Sequence, residues 1–374
     1  MRVTFMKIYL AAIRENIRLI YKLIPNSVEM IAVVKANAYG YGACEVAKLA
    51  LQEGCQSFAV AITKEACELR KAGIYSRIYL LGLLMPEEYE EAVENDCIIP
   101  ICDSTNLTLL DKLGQKKKKI IKVMIAVDSG MNRIGISAFK VLDFITIVKC
   151  YKQLEIVGFF THHACADMDN HEHVRKQINV FSAMIESIPE KEKFIFTSAN
   201  SPTIMYFPEA SYNAVRPGQI IYGYMPSGYS DDCKQMKQLP ILYSCLSLHS
   251  KVVHIHKAKK GDTVGYGGTY KCQEDTLIAT IPIGYADGYP RNLSNKGEVL
   301  INGKRYKIAG RICMDQMMVD LGKSANIKVG SEVILIGKQG NEEITVKEIA
   351  DLSGTIPNEI SCLLSSRIPR IYVN

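Results

Sequence analysis

Several features are scarce in this 374-residue chain, and each scarcity removes a class of protein. Its 12 cysteines include no CxxC pair and fall mostly within apolar segments such as "IIPICD" and "LYSCLSL". That is cysteine used as a small hydrophobe in a reduced, cytosolic-type interior, and it excludes a disulfide framework. No hydrophobic run approaches the length of a membrane span, so this chain makes no membrane contact of its own. The opening "MRVTFMKIYLAAIRENIRLI" is interrupted by charge too often to be a signal peptide. Net charge is only +6, and its densest source is "QKKKKIIK", with Lys116–Lys119 in a row. No aromatics interleave with these lysines as a nucleic-acid groove requires, so the run reads as a solvated turn. Internal repeats and other low-complexity segments are absent.

What remains is a soluble globular composition: 48% hydrophobic, 22% charged, mean hydropathy +0.03. The length suits two domains, each with its own core. Short apolar runs at 30–35, 57–62, 77–82, 97–102, 120–128, 155–162, 194–199 and 220–224 alternate with segments of helical spacing, such as "YGACEVAKLALQEG". Several of these runs are hydrophobic on both faces, as parallel sheets require. About eight strand–helix units predict an α/β barrel of the (β/α)8 type over residues 5–238. After "KQLP" the pattern changes to alternating strands broken by Gly, Asn-Gly and Lys-Gly turns, with "INGK" a strong hairpin signal. A mostly β domain is predicted over 239–374.

The stretch "AVVKANAYGYG" places a cationic amine, Lys35, where a buried strand finishes. A buried ammonium without a partner is costly, and such lysines lose their charge or react. The bland alternative is a head that reaches solvent over its apolar stem. In a barrel, chemistry gathers at the C-terminal ends of the strands. Those positions supply Lys35 and Tyr39 after the first strand, Arg133 after the fifth and His162 after the sixth. The seventh adds Asn200 and Ser201, and the eighth Arg216. A reactive amine, two arginines and a Ser/Gly-rich end together suggest a phosphorylated aldehyde cofactor held covalently as an imine.

Eight motifs in order, "AVVKANAYGYG", "VDSGMNRIG", "THHACAD", "SANS", "VRPG", "GYGGTY", "PIGYADGYPR" and "GRICMDQ", give the chain a resemblance to the alanine racemases over nearly its whole length. The resemblance implies a pyridoxal 5'-phosphate enzyme of barrel-plus-β architecture. Lys35 would bind the cofactor covalently and serve as one catalytic base. Tyr39, Ser201 and the Gly218 N–H would hold the phosphate, Arg216 would face the pyridine nitrogen, and His162 would position that arginine. Tyr266 would be the second base, supplied by the partner subunit of a homodimer with shared active sites. Met314, through its backbone N–H, and Arg133 would bind the substrate carboxylate. Tyr285, Arg291 and Arg311 would line the entrance, facing Asp167. No metal is implied.

Two positions depart from the usual pattern of the family. Ala126 stands on the fifth strand where many members carry a carbamylated lysine, so Arg133 must be steadied by other means. Asn358 in "GTIPNEIS" stands where a tyrosine usually reaches both phosphate and substrate. The asparagine resembles the catalytic half of the membrane-bound serine/alanine racemases of D-Ser-type vancomycin resistance. It implies L/D-serine as well as L/D-alanine as substrates, and D-amino acids for peptidoglycan precursors. It also implies a site on the cytoplasmic side, tethered to the cell membrane where a membrane domain precedes such a chain. An ordinary alanine racemase with little serine activity is the alternative. A non-catalytic pyridoxal-phosphate homeostasis protein lacks the β domain and its tyrosine, and "GYADGY" with "ICMDQ" argues against a basic amino-acid decarboxylase.

Overall fold

The computed structural model of the chain describes residues 2–227, 240–323 and 326–374. These fall into two compact units, one of residues 13–38 and 43–243, the other of residues 1–12, 39–42 and 244–374. The expected boundary at 238/239 lies outside the described residues. Among those described, no helix is long and apolar enough to cross a membrane.

The first strand, β1 (Phe5–Tyr9), belongs to the second unit, although the sequence reading counts it with the barrel. The first unit is a closed parallel barrel. Its strands are β2 (Glu29–Val33), β3 (Ser57–Val60), β4 (Arg77–Leu80), β5 (Cys97–Ile101) and β6 (Ile121–Asp128), with a two-residue β7 (Ile136–Ser137) hung on the end of β6. Then follow β8 (Leu154–Phe160), β9 (Ile195–Thr197) and β10 (Ala214–Val215). Apart from β7 they pair in chain order, β10 pairs back to β2, and β5 pairs with β6, which closes the ring. Strands β3 and β5 are buried along their whole length, which is why their sequences run apolar without alternation. The helices between barrel strands, such as Glu172–Ser187 between β8 and β9, bury one stripe, here Val174, Ile178, Phe181 and Ile185.

The eighth strand is Ala214–Val215, and the expected strand at 220–224 is a turn. There Ile221 N donates to Gly218 O (2.9 Å) and Tyr222 N to Gln219 O (3.1 Å). Ile220, Ile221 and Tyr222 are fully buried, so the apolar run marks a turn packed inside the protein.

The second unit holds a sheet of β17–β16–β19–β11–β1–β21 in spatial order, with β20 (Glu342–Ile344) on β19. Its members are β11 (Leu246–Lys251), β16 (Glu298–Ile301), β17 (Lys304–Lys307), β19 (Glu332–Gln339) and β21 (Arg370–Val373). A three-stranded sheet of β12 (His254–Ala258), β15 (Thr276–Ile281) and β18 (Met317–Asp320) and a hairpin of β13 (Thr263–Val264) and β14 (Tyr270–Lys271) complete it. The "INGK" hairpin forms as expected. Asn302 and Gly303 both take positive φ (49° and 74°), the pattern of a type I′ turn between β16 and β17.

One buried charge organises this unit. Asp287, within "GYADGY", is fully buried, and its carboxylate takes a two-pronged bond from Arg2 (Nη1–Oδ1 2.6 Å, Nη2–Oδ2 2.7 Å) and one from Gly284 N (3.1 Å). Burial alone would raise the pKa of this carboxyl, but the bonds from Arg2 and Gly284 outweigh it and hold the group below its ordinary value. Removing one partner of such a pair strands the other. Asp287→Ala is therefore expected to destabilise the protein by about 3 kcal/mol in urea unfolding. An unchanged midpoint would show that the pair is dispensable.

Candidate active site

The chain leaves the barrel at Lys35 through an unusual turn. Val34 N still pairs with Ala59 O (2.9 Å). After Lys35, Ala36, Asn37, Ala38 and Tyr39 all take left-handed backbone angles, with φ of 51°, 53°, 53° and 54°. Left-handed geometry costs an L-residue roughly 1–2 kcal/mol, and none of these four is glycine. The turn closes through Ala38 N on Val34 O (2.8 Å), and Asn37 Oδ1 accepts from Ala43 N (2.8 Å). Gly40 and Gly42 follow for a steric reason. A Cβ at Gly40 would sit 2.3 Å from Ser361 O, and one at Gly42 would sit 1.9 Å from Tyr372 Oη. Burial raises the Tyr39 phenol above the ordinary tyrosine value, so its hydroxyl stays a donor.

Arg216, just past β10, is buried and meets no carboxylate among the described residues. Its Nη1 donates to Thr197 O and Thr197 Oγ1 (2.7 Å each), and its Nη2 to Thr161 O (2.5 Å) and Ser198 O (3.4 Å). Burial first, and then the charge of Arg133, lowers its pKa to about 9, which leaves a cation at neutral pH. These carbonyls, not His162, position the guanidinium. His162 lies instead beside Asn200 (Nε2···Nδ2 3.4 Å). Burial, then Arg216, Arg133 and Lys35, hold its imidazole well below the ordinary value. The same interactions place Lys35, Arg133, His162 and Arg216 around one region at the barrel end. Ser201 opens the helix Ser201–Tyr206, whose N-cap Asn200 accepts from Thr203 N, and Ser201 Oγ accepts from Gly218 N (3.0 Å).

Arg133 is carried by a loop that the sequence reading left without a support. Asp128 Oδ1 accepts from Gly130 N (2.9 Å), Met131 N (3.0 Å) and Asn132 N (3.1 Å), so one carboxylate fixes the backbone leading to the arginine. The clue in the sequence is an Asp before Ser-Gly, a composition that favours side-chain-closed turns. Ala126 is buried on β6, and a narrow cavity lies among Ala126, Arg133, Phe160, Thr161 and His162. Gln177, also missed, joins the two loops. It donates to Ser129 Oγ (3.2 Å) and His162 O (3.0 Å) and accepts from Ala164 N (2.9 Å).

The remaining predicted residues, Asp167 apart, belong to the β unit. Tyr266 is 69% exposed, Met314 53% and Tyr285 42%, high values for large apolar side chains. Three segments converge there. Tyr285 N donates to Cys313 O (3.1 Å), Ala286 N donates to Met314 O (2.9 Å), and the Arg311 guanidinium packs against Gly267, 3.2 Å from where a Cβ would stand. Arg291 is exposed, Asp167 on the barrel unit is half-buried, and Asn358 is half-buried on the helix Pro357–Leu363.

The barrel-end set fits a phosphorylated, ring-bearing aldehyde. Lys35 offers an amine, and Ser201 with Gly218 N–H pairs a hydroxyl and an amide suited to an oxyanion. With both terminal nitrogens of Arg216 engaged, its Nε–H is the donor with no partner among the described residues, matching an acceptor nitrogen. The architecture is a closed parallel barrel joined to a mostly β unit, with Lys35 just past the first barrel strand. Family models for the alanine racemase N-terminal domain and C-terminal domain match residues 8–226 and 245–372. The alanine racemase of Carboxydothermus hydrogenoformans is 42% identical over 376 residues, covering 100% of both chains. The crystal structure of alanine racemase from Bacillus anthracis with bound L-Ala-P superposes with a TM-score of 0.91 at 38% identity, covering 100% of this chain and 96% of that one. That of the Bartonella henselae alanine racemase, with covalently bound pyridoxal phosphate, gives 0.88 at 30% identity over 100% of both. The chain belongs to the alanine racemase family.

His163, next to His162, generates a pH test. Burial, and second the Arg216 charge, lowers it from 6.5 to about 4, while its Nδ1 meets Thr203 Oγ1 (2.8 Å). A folded state that binds the proton less tightly than the unfolded chain is fully stable above pH 6.5 and loses stability as pH falls from 6.5 toward 4. This one group is worth about 3 kcal/mol over that interval. His163→Gln should flatten the fall in unfolding free energy between pH 7 and 4.5, and parallel profiles would refute the assignment.

Proposed function

We propose that the chain is a pyridoxal-phosphate-dependent racemase interconverting L- and D-alanine, with a pocket that also turns over serine. The observation that carries the reading is the barrel-end set of Lys35, Ser201 with Gly218, and Arg216. Bound there, pyridoxal phosphate would delocalise the electron pair left when Cα loses its proton. Lys35, Tyr39, Ser201, Gly218 and Arg216 would hold it, with His162 and Asn358 beside them.

Racemisation needs a proton acceptor on each face of Cα, and one amine cannot serve both. Lys35 Nζ takes one face, and the partner subunit's Tyr266 the other. A phenol serves as a base only where neighbouring cations favour its anion, and Arg311 packs beside Gly267 in that segment. Arg133 and the backbone N–H of the partner subunit's Met314 take the substrate carboxylate, which fixes Cα between the bases. Arg216, which stays protonated, would donate to the pyridine nitrogen without passing it a proton, an arrangement that would suit racemisation over decarboxylation. Homodimers are typical of the family, and the exposure of Tyr266 and Met314 supports a site completed between subunits. Mixing inactive Lys35→Ala and Tyr266→Phe proteins should restore one working site per heterodimer. Verified heterodimers without activity would point to sites built within one chain.

Alanine is the principal substrate on the strength of the relatives. Serine rests on Asn358. Replacing a tyrosine ring by an amide leaves room for a hydroxymethyl group and offers donors and an acceptor to its oxygen. A site that merely admits a hydroxyl discriminates by about a hundredfold or less, so activity on both substrates is expected. Asn358→Tyr should lower the serine-to-alanine ratio of kcat/KM by about tenfold. An unchanged ratio would show that this asparagine does not set the preference. D-amino acids for peptidoglycan precursors, made on the cytoplasmic side, are the proposed use.

A further inference from the structure

We propose that Glu65 is a positioning residue for Lys35, holding in place the left-handed turn through which the lysine is presented. The inference rests on the reading of Lys35 as the cofactor-bearing amine. Four consecutive non-glycine residues, Ala36 to Tyr39, sit in a conformation that L-residues avoid, and such a segment persists only where its surroundings over-determine it. At the C-terminal end of the turn, Asn37 Oδ1 holds Ala43 N. At its start, beside the reactive lysine, the anchor is the carboxylate of Glu65. Oε1 accepts from Ala36 N at 2.6 Å, and Oε2 accepts from Ala61 N at 2.8 Å and Ile62 N at 3.3 Å.

Glu65 lies in the first turn of the helix Thr63–Lys71. A glutamate there ordinarily reaches back to its own helix start, and Oε2 alone does that. Oε1 is directed to a different strand end, and nothing in the helix requires that bond. One side chain thus ties the end of β3 to the residue that follows Lys35. Charge-assisted bonds of this length are strong, and only a carboxylate offers two acceptor oxygens to three N–H groups. A glutamine keeps one acceptor and turns an amine toward an N–H, so the two carry different geometry at nearly equal volume.

The test compares Glu65→Gln and Glu65→Ala with the wild-type enzyme, purified with its cofactor. Amide hydrogen exchange at residues 36–39 should rise by about tenfold in both variants, because the turn opens more often. Activity should fall by about tenfold in kcat with KM little changed, since a misdirected amine affects proton transfer more than carboxylate binding. Adding Ala38→Gly to Glu65→Ala should recover most of the loss, because glycine enters positive φ without penalty. Unchanged exchange at 36–39, or no rescue by the glycine, would overturn the proposal and leave Glu65 a helix cap. Absence in the wild type of a borohydride-reducible band near about 420 nm would instead defeat the reading of Lys35 itself, whatever the exchange data show.

Discussion

Arg216 ties together the ends of three barrel strands. Its two terminal nitrogens bond Thr161 just past β8, Thr197 at the end of β9 and Ser198 beyond it, while its own backbone continues β10. A buried guanidinium without a carboxylate is tolerated because carbonyls and a hydroxyl take its protons. The arrangement leaves a positive charge fixed at the mouth of the barrel. Burial is the main reason that His162 and His163 stay neutral, and that charge adds to it. The electrostatic character of the site follows from this one placement. It sets a cationic guanidinium at Arg216 beside the neutral imidazoles of His162 and His163.

How much of this was legible in the sequence differs by kind of feature. The barrel was legible because its strands are buried on both faces, as in β3 and β5, which leaves unbroken apolar runs. The run at 220–224 misled for the same reason. Burial, not pairing, sets composition, and a fully buried turn looks like a strand. The true eighth strand, two residues long, has too little pattern to register. Strand β1 was assigned to the wrong unit because a local pattern says nothing of partners at residues 246–251 and 370–373.

At the candidate site, the residues proposed to touch chemistry stand in recognisable motifs, whereas most of their supports do not. Asp128, Gln177 and Glu65 act through hydrogen bonds to backbone groups, and Thr197 through bonds accepted from the Arg216 guanidinium. Gln177 lies on the buried stripe of its helix, where an amide is out of place by composition, and that anomaly, with the Asp before Ser-Gly at 128, was the available signal. Glu65 reads as an ordinary first-turn acid. Its distinctive feature is the direction of a single oxygen.

Both units are discontinuous along the chain. The β unit takes its opening strand from residues 5–9, a four-residue piece from 39–42, and the rest from 244 onward. Strand β1 lies between β11 and β21, so one edge of that sheet waits for the last residues to be made. During synthesis the barrel segments emerge first, while β1 is held without its neighbours for more than two hundred residues. Contacts of such sequence separation close slowly, because loop entropy must be overcome before they form. A cut after residue 243 would give a fragment that holds every residue of the barrel unit but carries β1 without either of its flanking strands.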